Sequence, residues 1–153
     1  ITGGGGSGSS PHSFDFAKDF SRMYVGTIGG GEVYSQALDQ NLNPVGAPEL
    51  FAVLGGWHDG VAVDACNNVY VANYTTSQMF RVTPVGVVSV FADWSGDSSG
   101  YGHGAVFGNG KGGFREDAIY VPLPYNNYQV KEIIVGVPSR EWAGTVINAT
   151  PLP

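Results

Sequence analysis

The chain has 153 residues, enough for one hydrophobic core, and carries a formal net charge of −6 with only 13% charged residues. Its seven Lys and Arg residues are scattered, and no apolar run approaches membrane-spanning length, so we expect neither nucleic acid nor a membrane as a partner. The 24 Gly and 9 Pro residues are interleaved with Val, Ile, Tyr and Phe, a pattern typical of many short strands joined by tight turns.

The predicted elements begin after a Gly- and Ser-rich stretch, residues 1–10, which we predict to be a flexible lead-in. From there the chain repeats a unit with the pattern strand, turn, strand, turn, strand, loop, strand. The three units cover about residues 11–54, 57–93 and 101–150. His12, Asp59 and His103 mark one position in each unit, and their spacing of about 45 residues is the period of four-stranded propeller blades.

These units predict an all-β fold that consists of about three four-stranded blades of a β-propeller. Propellers typically close with four to eight blades. A three-bladed arc would leave two apolar blade faces exposed, which a chain in water should not tolerate. We therefore expect a second polypeptide, such as the N-terminal half of the same precursor in a heterodimer, or a second copy of the chain, to complete the ring.

The motif from His58 to Asp64, followed by Asn68 to Tyr74, resembles the SMP-30/gluconolactonase/regucalcin group of six-bladed propellers. The segments 107–114, 119–121 and 135–138 are also similar to members of this group. The likeness extends over residues 10–138 and corresponds to the C-terminal half of a family member. It implies a metal-dependent hydrolase of lactones or phosphoesters, with a divalent metal in the propeller channel and a small-molecule substrate.

The resemblance also implies a metal site. In the family the residue before the glycine of the Asp-Gly motif binds the metal, and here that residue is Asp59. The matching positions of the neighbouring units are His12 and His103. His12 stands where the family usually has an asparagine. A carboxylate suits calcium, so calcium is the metal that the family implies, whereas imidazoles suit zinc or copper. His12 and His103 are thus candidate metal ligands, or candidate catalytic bases beside a metal-bound substrate.

Four further residues are predicted to line a substrate pocket: Trp57, His58, Asn73 and Tyr101. Aromatic residues at blade entrances also pack between blades, and Asn73 begins a glycosylation sequon, so a structural alternative stays open for Trp57 and a glycan for Asn73. Two alternatives to the hydrolase also remain. One is a lyase with zinc or copper held by histidine on the same scaffold, and the other is a non-catalytic NHL-like binding module.

The expected location is secreted or periplasmic. The first residue is Ile1 rather than Met, which indicates a removed segment, and sequons begin at Asn73 and Asn148. Cys66 is the single cysteine of the sequence. In a secreted chain it could form a bridge to another polypeptide.

Overall fold

A computed structural model describes residues 9–97, 100–125 and 127–139. These residues form eleven β-strands in three antiparallel sheets and contain no helix. The part of the chain described here therefore holds no membrane-spanning helix. Residues 1–8 of the predicted lead-in and residues 140–150 of the third predicted unit lie outside the described residues.

Each sheet is a meander in which strands adjacent in sequence pair with one another. The first sheet, blade 1, consists of β1 (Ser10–Phe16), β2 (Arg22–Ile28), β3 (Glu32–Leu38) and β4 (Pro44–Val53). The second sheet, blade 2, consists of β5 (His58–Val63), β6 (Val69–Asn73), β7 (Gln78–Val82) and β8 (Val88–Asp93). The third sheet, blade 3, consists of β9 (Val106–Phe107), β10 (Ala118–Leu123) and β11 (Gln129–Ile134).

The predicted all-β class is confirmed, and the third blade differs in detail. Its first strand, β9, is short, because it pairs with β10 only at Val106 and Phe107. Gly104 has a φ of 77°, a left-handed conformation that interrupts the extended backbone. Blade 3 has three strands among the described residues, and the stretch predicted to supply a fourth lies beyond them.

Two hydrophobic cores join the blades, because each sheet has an apolar face toward each neighbour. The core between blades 1 and 2 contains Tyr24, Val33 and Ala52 on one side and Val61, Val63, Val69, Val71 and Val82 on the other. The core between blades 2 and 3 contains Ala62, Tyr70, Ala72, Met79 and Trp94, opposite Ile119, Val121 and Leu123. The blades therefore stack in chain order.

The first strands of the blades lie side by side, with β1 against β5 and β5 against β9. Both β1 and β5 contain a bulge: the register shifts between Pro11 and Ser13, and again between His58 and Gly60. His12 and Asp59 are the two residues at these bulges. Bulges redirect a side chain out of the regular alternation. The fold thus gives His12 and Asp59 equivalent positions on adjacent strands.

The outer face of each end blade leaves apolar side chains in water. Phe14 of β1 is 59% exposed, whereas Val61, which holds the equivalent position in β5, is 5% exposed. Val106 of β9 is 63% exposed, whereas its equivalent in β5, Ala62, is 2% exposed. The difference arises because blade 2 has a neighbour on both sides. The end faces therefore have the apolar character of a blade interface without a blade against them among the described residues.

Candidate functional site

Asp59 lies between His12 and His103 and contacts both imidazoles. Its Oδ1 pairs with Nε2 of His12, and its Oδ2 lies 2.7 Å from Nδ1 of His103. The Asp59 side chain is only 11% exposed, whereas the two histidine side chains are 42% and 38% exposed. One carboxylate thus orients two imidazoles, each through a different oxygen. We call these residues the His–Asp–His cluster.

Gly60 permits the approach that brings His103 to Asp59. A Cβ atom at this position would lie 2.2 Å from the carbonyl carbon of Gly104 and 2.3 Å from the backbone nitrogen of Ala105. Real Cβ atoms do not approach backbone so closely, so a side chain would push β5 and this segment apart. The backbone N–H of His103 donates to the Pro122 carbonyl at 2.9 Å, which anchors the segment to β10.

The carboxylate determines which imidazole nitrogens carry a proton in the neutral rings. Because an ionised carboxylate only accepts hydrogen bonds, we assign the protons to Nε2 of His12 and Nδ1 of His103. This leaves Nδ1 of His12 and Nε2 of His103 as acceptors. The latter atom is buried, and no described residue donates to it. Buried acceptors are normally satisfied, so this atom calls for a donor from a ligand or from water.

A cavity of about 280 Å³ opens at the cluster. It is lined by His12, Ile28, Trp57, Asp59, Tyr74 and His103. The lining includes Trp57 and two residues that the sequence did not indicate as pocket residues, Ile28 and Tyr74. Outside the cluster the lining is mainly apolar, which is typical of a small-molecule site with a few polar groups.

Three aromatic rings form a row beside the cavity. The ring centroids of Trp57 and Tyr74 are 5.9 Å apart and those of Tyr74 and Tyr101 are 4.8 Å apart, with interplanar angles of 23° and 21°. The His103 ring contacts the rings of Tyr74 and Tyr125 edge-on, with centroid distances of 5.2 and 5.4 Å. We call Trp57, Tyr74 and Tyr101 the aromatic row. Tyr101, predicted to line the pocket, thus reaches the site through its contact with Tyr74.

The Tyr74 hydroxyl lies in a setting that disfavours its ionised form. Burial raises the pKa of Tyr74, and the nearby Tyr125, Tyr101 and Asp59 raise it further. A tyrosine titrates ordinarily near pH 10. The Tyr74 hydroxyl therefore keeps its proton at neutral pH and is a hydrogen-bond donor beside the cluster.

His58 and Asn73 were predicted to line the pocket, and the structure places them beneath it. Both side chains are fully buried. The His58 ring nitrogens lie 3.2 Å from the carbonyl oxygens of Glu32 and Gly55, and Nδ2 of Asn73 donates to the same Gly55 oxygen at 2.6 Å. These residues support the loop that carries Trp57. The buried Nδ2 of Asn73 also leaves no room for a glycan in the folded chain.

The cluster does not fit a metal ion by itself. Among the described residues, no group of three or more His, Cys, Asp or Glu side chains is arranged to hold a metal. Calcium takes six to eight oxygen ligands, and the cluster offers one carboxylate, each oxygen of which already faces an imidazole. Imidazole and carboxylate are suitable ligand types for zinc or copper. Here, however, the facing donor atoms pair with one another instead of converging on a common point.

Comparison with solved structures identifies the fold. A luciferin-regenerating enzyme has a TM-score of 0.65 and 15% identity, over 84% of this chain and 46% of its own. A calcium-binding regucalcin from Agrobacterium tumefaciens matches with a TM-score of 0.65 and 17% identity, and the match covers 85% of this chain and 46% of the regucalcin. A gluconolactonase from Xanthomonas campestris matches with a TM-score of 0.56 and 16% identity, and the match covers 72% of this chain and 34% of the gluconolactonase. The chain has the fold of the SMP-30 propellers.

The structural matches confirm the predicted resemblance at the level of the fold. No family model matches the sequence, and no curated protein matches it either. The chain spans less than half the length of the solved structures described above. The described residues therefore form part of a propeller fold.

Proposed function

We propose that this chain forms the catalytic sector of a hydrolase that cleaves a small lactone or phosphoester. One observation carries this conclusion: Asp59 holds two imidazoles, one on each carboxylate oxygen, at the mouth of a mainly apolar cavity. A carboxylate-oriented imidazole is a common device for activating water at neutral pH. The gluconolactonase among the structural neighbours supports the reaction class.

His12 is the proposed general base, since it lines the cavity and the free ring nitrogen of His103, Nε2, is buried. Its Nδ1 accepts a proton from water while the water oxygen attacks the carbonyl or phosphoryl centre. The resulting imidazolium keeps Nε2–H on Asp59, whose negative charge stabilises it. The proton then moves to the leaving oxygen as its bond to the carbon or phosphorus breaks. His103 fixes the other oxygen of Asp59 and so keeps the carboxylate in place.

The proposal includes a divalent metal in the complete channel, supported by the calcium-binding regucalcin among the neighbours. Because the cluster contributes a single carboxylate, the remaining oxygen ligands for calcium would come from outside the cluster. We assign no step of the reaction to this metal. Metal analysis of the purified protein tests this part. Stoichiometric calcium would support it, whereas zinc or copper would favour the histidine-held metal of the lyase alternative, and a metal-free active protein would refute it.

We further propose that a second polypeptide with blades of the same type completes the ring. Phe14 and Val106 are exposed at positions whose equivalents in blade 2 are buried by neighbouring blades. Each end face is therefore suited to a further blade. The matched structures are about twice as long as this chain, so the missing part has the size of a comparable arc.

Substitution of the cluster tests the proposed function. For Asp59→Asn and His12→Gln, we expect kcat on a panel of lactones and phosphotriesters to fall about 10²- to 10⁴-fold, the range for loss of acid–base catalysis. Glu49→Gln is the matched control, because it removes a carboxylate charge from a side chain that is 75% exposed. Unchanged kcat in Asp59→Asn would refute the mechanism. Ligand binding without turnover would favour a binding module, and a product that gains no water would favour a lyase.

A further inference from the structure

The aromatic row has no part in the proton transfer proposed above, and its end members are largely in water. Trp57 is 49% exposed and Tyr101 is 41% exposed. We propose that the row is a stacking platform for a planar aromatic ring of the substrate, so that the substrate is an aryl lactone or aryl ester. This inference rests on the proposed hydrolase function, because it names the substrate class of the same cluster.

The backbone that carries Trp57 is held by hydrogen bonds on both sides. The buried Asn73 amide donates to the Gly55 carbonyl at 2.6 Å, and the backbone N–H of Trp57 donates to Oγ1 of Thr75 at 3.1 Å. The backbone N–H of Tyr74 donates to the Trp57 carbonyl at 2.8 Å, which ties two members of the row together. A fixed backbone that presents an exposed ring loses little entropy when a ligand binds.

The backbone beside Tyr101 is fixed as well. Gly100 and Gly102, on either side, are buried. The indole N–H of Trp94 donates to the Gly100 carbonyl, and a Cβ atom at Gly102 would lie 2.7 Å from Cγ1 of Val121. The two glycines thus let the chain press against the core, which directs the Tyr101 ring to the surface. The packing of the loop therefore keeps the Tyr101 ring exposed.

The chemistry of the described part of the cavity suits an aryl ring better than a sugar ring. A sugar lactone has several hydroxyl groups, and each one left without a partner in the site costs binding free energy. Beside the cluster, the side chains of the described lining add only the Trp57 indole N–H and the Tyr74 hydroxyl as polar groups. A planar aryl ring needs no such partners, and it gains contact area and ring–ring attraction from the row. The aryl class is therefore the better match to the lining that this chain contributes.

Substrate preference tests the platform. Hydrolysis of dihydrocoumarin, an aryl lactone, is compared with that of glucono-δ-lactone in the intact protein. We expect dihydrocoumarin to have the higher kcat/KM, and Trp57→Ala and Tyr101→Ala to lower this value about tenfold through KM, a larger loss than either variant causes on glucono-δ-lactone. Tyr128→Ala is the matched control, since this tyrosine is 88% exposed and lies outside the row. Preference for the sugar lactone, or equal losses on both substrates, would overturn the inference.

A binding measurement separates the platform from the hydrolase. Cinnamate and gluconate are carboxylates without a scissile bond, and calorimetry reports their binding directly. We expect cinnamate to bind the more tightly and Trp57→Ala to weaken it about tenfold. Tight cinnamate binding without hydrolysis of either lactone would support the platform and reject the hydrolase. Lactone hydrolysis without any preference for cinnamate would support the hydrolase and reject the platform.

Discussion

His58 illustrates at the residue scale how burial turns a titratable side chain into a structural group. Burial lowers the pKa of His58, an effect that outweighs the opposite influence of the Gly55 and Glu32 carbonyls and of the Glu32 charge. The unfolded chain therefore takes up a proton at a higher pH than the folded chain does. Stability is complete above the unfolded pKa of about 6.5 and falls as the pH drops below it, by at most about 1.4 kcal/mol per pH unit.

The measurement is thermal or urea unfolding between pH 7.5 and pH 5.5, performed on the wild type and on His58→Gln. The wild type should lose more stability over this interval, because the variant has no imidazole to protonate there. The difference between the two proteins isolates His58 from His12 and His103, which both retain. Parallel pH profiles would contradict the assignment of a neutral buried His58.

For single residues, the sequence predicted the position in the fold better than the burial of the side chain. The repeat located His12, Asp59 and His103 because equivalent places in successive blades come together around one axis. His58 was assigned to the pocket beside Asp59, and Asn73 because members of the similar family often place a pocket residue after the second strand, yet both side chains are buried under the loop. Tyr74 lines the cavity, and its signals were its place directly after β6 and at the end of the motif from Asn68 to Tyr74.

Gly60 determines how two structural elements pack at the site, since it lets β5 contact the segment before β9. In Gly60→Ala, the new methyl group would meet the backbone of Gly104 and Ala105 at less than 2.5 Å, so the two segments must separate. We expect a loss of about 1–3 kcal/mol in the free energy of unfolding, as for other overpacked sites. A marked drop in kcat should accompany it, because His103 would move from Asp59.

The control for this substitution is Gly96→Ala. A Cβ atom at Gly96 meets nothing within 4 Å, and the change should leave both stability and activity near wild type. Chemical unfolding and the hydrolysis assay are run on both variants. Equal effects at the two glycines would show that backbone freedom, and not close approach, decides the outcome at Gly60.

Most strands were predictable because alternating apolar residues between turn signals define short strands well. Strands β5 to β8, which cover His58–Val63 to Val88–Asp93, fall within the predicted second unit, 57–93. The short first strand of blade 3 was not predictable, since Gly104 takes up a left-handed conformation that a sequence pattern does not reveal. Glycine is compatible with both an extended and a turned backbone, so contacts with β5 and β10 decide between them.

On the scale of the whole molecule, the three blades form an arc whose two ends resemble its internal interfaces. The repeat predicted the arc, and the matched folds about twice its length agree with that architecture. A sequence alone does not fix the missing partner, because any blade with a complementary apolar face could pack there. The proposed second polypeptide is therefore a question of association, to be tested at the two end faces.

Phe14→Asp and Val106→Asp place a charge on each end face, where the equivalent side chains of blade 2 are buried. A charge buried between blades without a partner is costly, so we expect each variant to dissociate from the second polypeptide. Leu50→Asp is the matched control: Leu50 is 57% exposed, and its equivalent in blade 2, Val90, is also 52% exposed although that blade has neighbours. An exposed outer-strand position should tolerate the charge.

Native mass spectrometry and sedimentation of the three variants and the wild type decide the matter. The wild type should contain a second polypeptide of comparable size, which Phe14→Asp and Val106→Asp release and Leu50→Asp retains. If the wild type contains only this chain and has twice the mass of one chain, the partner is a second copy instead of a second polypeptide. A stable monomer would contradict the proposed association, because exposed apolar faces of this kind would then persist in water without a partner.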